Sequence, residues 1–180
     1  MKKKFDSREL RRYKQKIQDL RQDAPEIVEE LVVGEGMYAV KQARSIAKNE
    51  HIINTGQYRQ GFHTGDHALG ADTGKLHDGS RPKRSGRIWK IDVYNNQDHS
   101  GHLEHGFRSH FVPGHWEGET FVYQRDDPQG GMYVGPPGGY VRGHYTLRRA
   151  IRRTKDTQTA RLGRKWRAKT NKYLKGDGEK

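Results

Sequence analysis

Apolar residues recur at helical spacing along the first part of the chain. Leu10, Tyr13, Ile17 and Leu20 follow one another at three- and four-residue steps, which predicts an amphipathic helix over residues 6–21, capped by Asp6 or Ser7. Asp23 and Pro25 then read as the N-cap and opening of a second helix, with Glu26, Glu29 and Glu30 in or near its positive first turns. Ile27, Val28, Leu31, Val32, Ala39, Val40, Ala43, Ile46 and Ala47 carry a helical stripe to about Asn49. Gly34 and Gly36 interrupt it, and a kink is expected there.

The pattern changes at Asn54-Thr55-Gly56, a turn signal that ends the helix. Residues 57–63 are expected to open a first strand, and residues 64–86, rich in Gly, His and Asp, to form a long loop. Residues 88–94 alternate Ile88, Lys90, Asp92 and Tyr94 with Trp89, Ile91 and Val93, which predicts one half-buried strand with a turn at Asn95-Asn96. His99 to Gly106 suits either a short helix or a turn. Phe121-Val122-Tyr123 is a second β run, and residues 126–143 read as loop with an extended piece at 132–134. Tyr145, Leu147, Ala150, Ile151, Thr154, Leu162, Trp166 and Tyr173 fall on one face of a closing helix. The fold class predicted is α+β: long N-terminal helices, a small antiparallel sheet with long loops, and a C-terminal basic helix. Three segments are expected: a basic helical arm (1–22), an α+β domain (23–155) and a basic helical extension (156–180).

Composition narrows the picture. Of 180 residues, 31% are apolar and 32% charged, so the core is small and the arms must gain order from partners. The absence of cysteine excludes disulfides, thiolate zinc sites and cysteine nucleophiles. Met1-Lys2-Lys3-Lys4 resembles the start of a signal peptide, but Phe5 leads straight into Asp6, Arg8 and Glu9. Neither secretion by that route nor a membrane span is expected. Net charge is +13 and unevenly spread. Residues 1–21 hold nine Lys/Arg against three acids and residues 142–180 fourteen against three, leaving −4 for the middle. Such ends suit nucleic acid, anionic membranes, acidic protein surfaces or the acidic body of another copy; they are equally the signature of solvated helix faces.

Candidate chemistry is thin. His99, His102, His105, His110 and His115 lie close in sequence, and three-residue steps on a helix would bring imidazoles together around a metal. Ser100-Gly101 and Gly106 argue against that helix, Glu104 is the one carboxylate inside the run, and no H-E-x-x-H occurs. Loop histidines are the better reading; a nuclease using His102 or His105 with a metal is the enzymatic rival. The glycines at 130–131, 135 and 138–139 lack the Gly-Lys-Ser/Thr of a phosphate loop. No paired carboxylates stand in an apolar setting suited to acid–base work. The expectation is a non-enzymatic protein without a cofactor. Arg148, Arg149, Arg152, Arg153, Arg164, Lys165 and Arg167 make a dense cationic face for an interface or for DNA. Trp166 and Tyr173, spaced with Leu162, read as core or interface anchors rather than as base-stacking platforms.

These segments together resemble the HK97 gp10-like family of phage neck and tail-completion proteins, of the minor tail protein Z type. Asn54-Thr55-Gly56 stands where that family has Asp-Thr-Gly, and Leu103, Glu104 and Gly106 fall in the place of its Tyr-Ala-x-Tyr-Val-Glu-x-Gly, with His at both aromatic positions. The similarity spans about residues 25–155. It implies a structural subunit of a homo-oligomeric ring, hexameric or higher, at the head–tail junction of a tailed bacteriophage or phage-like particle. Its implied partners are head-completion and tail-terminator or tail-tube proteins, with passing contact to phage DNA and none to membrane. The location implied is the virion, and the host cytoplasm during assembly. A basic nucleic-acid-binding protein of other ancestry is the alternative.

Overall fold

The computed structural model describes residues 7–52, 56–69, 74–127 and 130–175. Two long helices dominate it: α1 (Ser7–Asn49) and α4 (Thr146–Lys175). Between them come α2 (Gln57–Gln60), β1 (Phe62–Gly65), a 3-10 turn (His67–Leu69), β2 (Lys83–Ser85), β3 (Ile88–Lys90), β4 (Asp92–Asn95), α3 (Ser100–His105), β5 (Gly106–Arg108), β6 (His110–Glu117), β7 (Thr120–Tyr123), β8 (Gly131–Val134) and β9 (Tyr140–Arg142). The class is α+β, as expected. The strands form four small antiparallel sheets rather than one: β1–β4, β2–β3, β5–β9 and β7–β6–β8.

The chain divides into two compact units, residues 97–146 and the remainder. The helical unit holds the apolar core. Ile27, Leu31, Ala39, Val40, Ala43, Ile46 and Ala47 of α1 are buried with Tyr58, Phe62 and Ala150. Tyr58 and Phe62 meet edge to face, with ring centroids 4.9 Å apart. The predicted stripe is therefore the core stripe, except that Val28 and Val32 are only half-buried.

Several expectations change. The break at Pro25 does not occur: α1, 43 residues long, runs unbroken through it. Proline removes one helix hydrogen bond, and tethers to α4 hold α1 on both sides of Pro25: before it Lys16 Nζ donates to the Leu174 carbonyl at 3.0 Å and the Tyr173 hydroxyl to Asp23 at 2.8 Å, and after it Lys169 Nζ donates to Glu30. Gly34 and Gly36 also lie within continuous helix. Gly36 is there for close packing: a Cβ on it would lie 2.2 Å from Thr64 Oγ1 and 3.1 Å from Ile91 Cγ2. Residues 57–60 are helix, not strand, and the strand starts at Phe62. The loop expected over 64–86 contains the end of β1, the 3-10 turn and β2. The single strand over 88–94 is two strands in different sheets, with Ile91 between them. The longest strand, β6, and the short β9 had no strand signal of their own. Both long helices cross the segment boundaries expected at 22/23 and 155/156 without a break.

A ladder of polar contacts pairs α1 with α4 antiparallel. As α1 is followed backward, Glu50 meets Arg149, Glu35 meets Arg161, Glu30 meets Lys169 and Asp23 meets Tyr173. Glu35 is the buried rung, with only 7% of its side chain exposed. Arg161 clasps it with two nitrogens, Nε to Oε1 at 2.8 Å and Nη2 to Oε2, and stacks over the Tyr38 ring at 3.8 Å. The bond to Glu35 also holds the Arg161 pKa above its ordinary value.

Two stability tests follow from this packing. Glu35→Ala strands the Arg161 guanidinium and is expected to cost about 3–5 kcal/mol, whereas an apolar pair at positions 35 and 161 costs far less; urea unfolding of the single and double variants checks this. Gly36→Ala should destabilise the protein even though helix propensity alone favours alanine by about 1 kcal/mol, because the new methyl overlaps Thr64. An unchanged or raised midpoint would contradict that packing.

Candidate functional site

The unit of residues 97–146 has an unusual surface for its size. Among the described residues, none of the buried apolar side chains belongs to it. Phe111, Trp116, Tyr123, Tyr133 and Tyr140 are each at least half exposed. In β6 the side chains alternate between faces. Phe111 lies opposite Tyr133 of β8, with rings 5.4 Å apart, and Trp116 lies opposite Phe121 of β7, with rings 5.3 Å apart. Odd and even positions point to opposite faces, so both faces of the three-stranded sheet carry an aromatic pair. Within β6 only Gly114 is buried.

Local chemistry explains the shape of this sheet. β6 and β7 join through Gly118-Glu119, and Gly118 has φ +62°, the left-handed value that the first position of a II′ hairpin turn requires. The Phe121 ring lies over Gly114, and the Phe111 ring over Gly131, in each case where a Cβ would collide. Aromatics thus cover strand glycines that would otherwise expose backbone. His115 donates to Asp127, whose side chain is 1% exposed, and its other nitrogen lies 3.4 Å from Glu117. These two carboxylates, Asp127 first, raise the His115 pKa above its ordinary value of 6.5.

The family-like motif residues are structural in this setting. Asn54 and Thr55 lie outside the described residues; Gly56, at φ +81°, precedes α2 as its N-cap. Leu103, Glu104 and Gly106 close α3 onto β5 and β9. The Leu103 and Glu104 carbonyls accept from the amides of His144 and Tyr145 at 2.8 and 3.0 Å. The Tyr140 hydroxyl donates to the His105 carbonyl. A Cβ on Gly106 would lie 2.3 Å from the Val141 oxygen, so only glycine fits where β5 meets β9. The short helix reading of 99–106 is the one adopted: α3 forms despite Gly101, held by this C-terminal closure.

The cationic residues on α4 do not act alike. Arg149 pairs with Glu50, and Lys165 lies 3.8 Å from Glu35, so both help hold the two helices. Arg148, Arg152, Arg153, Arg164 and Arg167 are exposed. Trp166 is 37% exposed, and Tyr173, tied to Asp23, is a true helix-pairing anchor.

The clustered histidines do not converge on a metal among the described residues. His102 and His110 each lie against Phe107, at 5.4 and 5.9 Å between ring centroids. One three-ligand group does occur, at Asp66, His67 and Asp92, whose ligand atoms lie within 4.8 Å of one another. Lys83 Nζ sits 2.9 Å from Asp66 and 3.8 Å from Asp92, so a side-chain ammonium already offsets one of the two carboxylate charges. Beside it, Asp78 is buried. Burial works against its charge, but hydrogen bonds from Ser80 Oγ, the Ser80 and Asp66 amides and the Tyr94 hydroxyl outweigh burial and hold its pKa below the ordinary value. The Tyr94 hydroxyl pKa is pushed up to about 12, by burial first and then by Asp78. This network ties Asp66, Asp78 and Ser80 to Tyr94 of β4, and sequence spacing could not reveal it because Asp66 and Tyr94 stand far apart along the chain. Among the described residues, no helix is long and apolar enough to cross a membrane.

The raised His115 value gives a pH test. Protonated His115 stabilises the sheet unit fully below the ordinary imidazole range, and that contribution is lost as pH rises through the higher folded value. In an NMR titration the His115 midpoint should lie above 6.5 and fall toward it in Asp127→Asn; an unchanged midpoint would rule out the Asp127 contact as the cause. No protein-family model, no curated protein and no solved structure matches the chain.

Proposed function

We propose that the chain is a non-enzymatic structural subunit of a homo-oligomeric ring at the head–tail junction of a tailed bacteriophage or phage-like particle. One observation carries this reading: among the described residues, the 97–146 unit keeps no buried apolar side chain of its own and presents five large aromatics. A sheet has to bury at least one face to be stable, and here both faces leave large aromatic rings exposed. The family resemblance supplies the phage setting, and the order long helix, short strands, glycine-rich hairpins, closing helix accords with it.

The occupant proposed for the aromatic sheet is a second copy of the chain. Residues 97–146 carry three Arg against six Asp and Glu, while α4 carries twelve Lys and Arg against one acid. Arginine stacks well on aromatic rings. A contact between unlike surfaces is heterologous, and such contacts close into rings when the rotation per subunit allows. In a phage particle the outer surfaces of that ring would meet head-completion and tail-tube proteins. Nucleic-acid binding is the second reading, favoured by the exposed arginines of α4.

Light scattering on the purified full chain tests the assembly. A discrete oligomer is expected, and Trp116→Asp with Tyr133→Asp should reduce it to monomer while the far-UV spectrum stays the same. A strict monomer at every concentration, indifferent to these substitutions, overturns the ring.

A further inference from the structure

Four cations converge near the C-terminal end of α1, and among the described residues no carboxylate lines the groove they share. Lys41, Arg44 and Lys48 occupy positions i, i+3 and i+7 of one helical stripe, with Ser45 beside them. Arg59 of α2, with Gln60 and Gly74, forms the opposite wall of a groove of about 610 Å³. No ion pair to a described residue holds any of the four.

A solvated helix face does not account for this arrangement. Arg44 is half-buried and fixed: its terminal nitrogens donate to the carbonyls of Gln60, Phe62 and Lys75 at 2.9 Å and of Gly74 at 3.1 Å. Its Nε is buried without a partner. Burial first, and the charge of Arg59 second, push the Arg44 pKa below its ordinary value. A second guanidinium therefore approaches where a carboxylate would normally be placed. Arg44 and Lys48 also repel each other at i, i+4, a pairing that destabilises a helix. The helix dipole offsets only about half an elementary charge.

We propose that this groove is a phosphate-binding site, with Arg44 as its preorganised base and Lys41, Lys48 and Arg59 as the groups that close on a phosphodiester or polyphosphate. The carbonyl clamp fixes the Arg44 charge in place before any ligand arrives, so little ordering is needed on binding. Ser45 adds a hydroxyl donor on the same stripe. The site lies on α1 and α2, no α4 residue is among its described lining, and it stands whether or not the ring reading holds.

The test uses the full chain with Lys41, Lys48 and Arg59 all changed to alanine, leaving Arg44 to its structural carbonyls. A control replaces Arg152, Arg164 and Arg167 of α4 with alanine, removing the same charge. Two probes are used: a labelled short DNA duplex followed by anisotropy across salt, and inorganic pyrophosphate followed by thermal shift. For the groove variant, DNA affinity at low salt should fall about tenfold or more, and the salt slope by about 2–3, near 0.9 for each phosphate no longer neutralised. Pyrophosphate should raise the melting temperature of the wild type and not of the variant. Pyrophosphate stabilisation without DNA binding identifies a free polyphosphate as the source; loss of both effects identifies the nucleic-acid backbone. Wild-type behaviour of the groove variant with both probes, or an equal loss in the α4 control, overturns the site. Light scattering on the same samples separates this result from the fate of the ring, since the groove variant keeps both sheet aromatics and α4.

Discussion

Glu35 sits inside the apolar stripe of α1, one turn from Leu31 and one turn from Ala39. A carboxylate there must find a counter-charge or lose its own, because desolvating an unpaired ion costs several kcal/mol. Arg161 supplies that charge from α4, in a two-pronged geometry that lysine could not reproduce. The other rungs are more exposed; Glu30 keeps 64% of its side chain in solvent. Exposed pairs of this kind contribute at most about 1 kcal/mol. Their value lies in agreeing with the buried rung about register: a slip of one turn would leave Glu35 without its guanidinium and Tyr38 without its cation. The apolar contacts of α1 hold the strands, and the buried ion pair decides where α4 lies along it.

The two units divide their chemistry sharply. Among the described residues, the helical unit holds the buried apolar side chains and most of the positive charge; the sheet unit is net acidic and wears its aromatics outward. The same chain thus offers a basic rod and an acidic aromatic sheet.

Much of the helical architecture was legible in sequence. The stripe from Ile27 to Ala47 identified the core-facing side of α1, and the apolar-basic pattern after Tyr145 marked α4. Pro25 misled because local propensity yields to tertiary tethers on both sides of it. β6 was invisible because His110, Pro113, Gly114 and His115 break any period-2 signal, and its pairing comes from glycines covered by rings. The candidate surfaces were only partly legible. The cationic face of α4 was plain, but spacing could not say that Arg149 and Lys165 serve the helix pair. The stripe of Lys41, Arg44 and Lys48 carried no signal of its own in the sequence, because its meaning depends on Arg59 and on four carbonyls from distant segments. Glu35 could have been noticed as an acid out of phase with its neighbours.

The ladder between α1 and α4 also bears on how the molecule is made. Its rungs join residues from 99 to 158 positions apart, whereas the β6–β7 hairpin of the sheet unit closes over Gly118-Glu119 alone. Distant contacts are slow to form because so much chain must be ordered first. During synthesis, α1 and the sheet unit emerge well before the guanidinium that completes the core. Until α4 arrives, Glu35 has no native counter-charge, and water must still reach the stripe it interrupts. The arrival of the last helix, with Arg161, is the step that pairs that acid and closes the core.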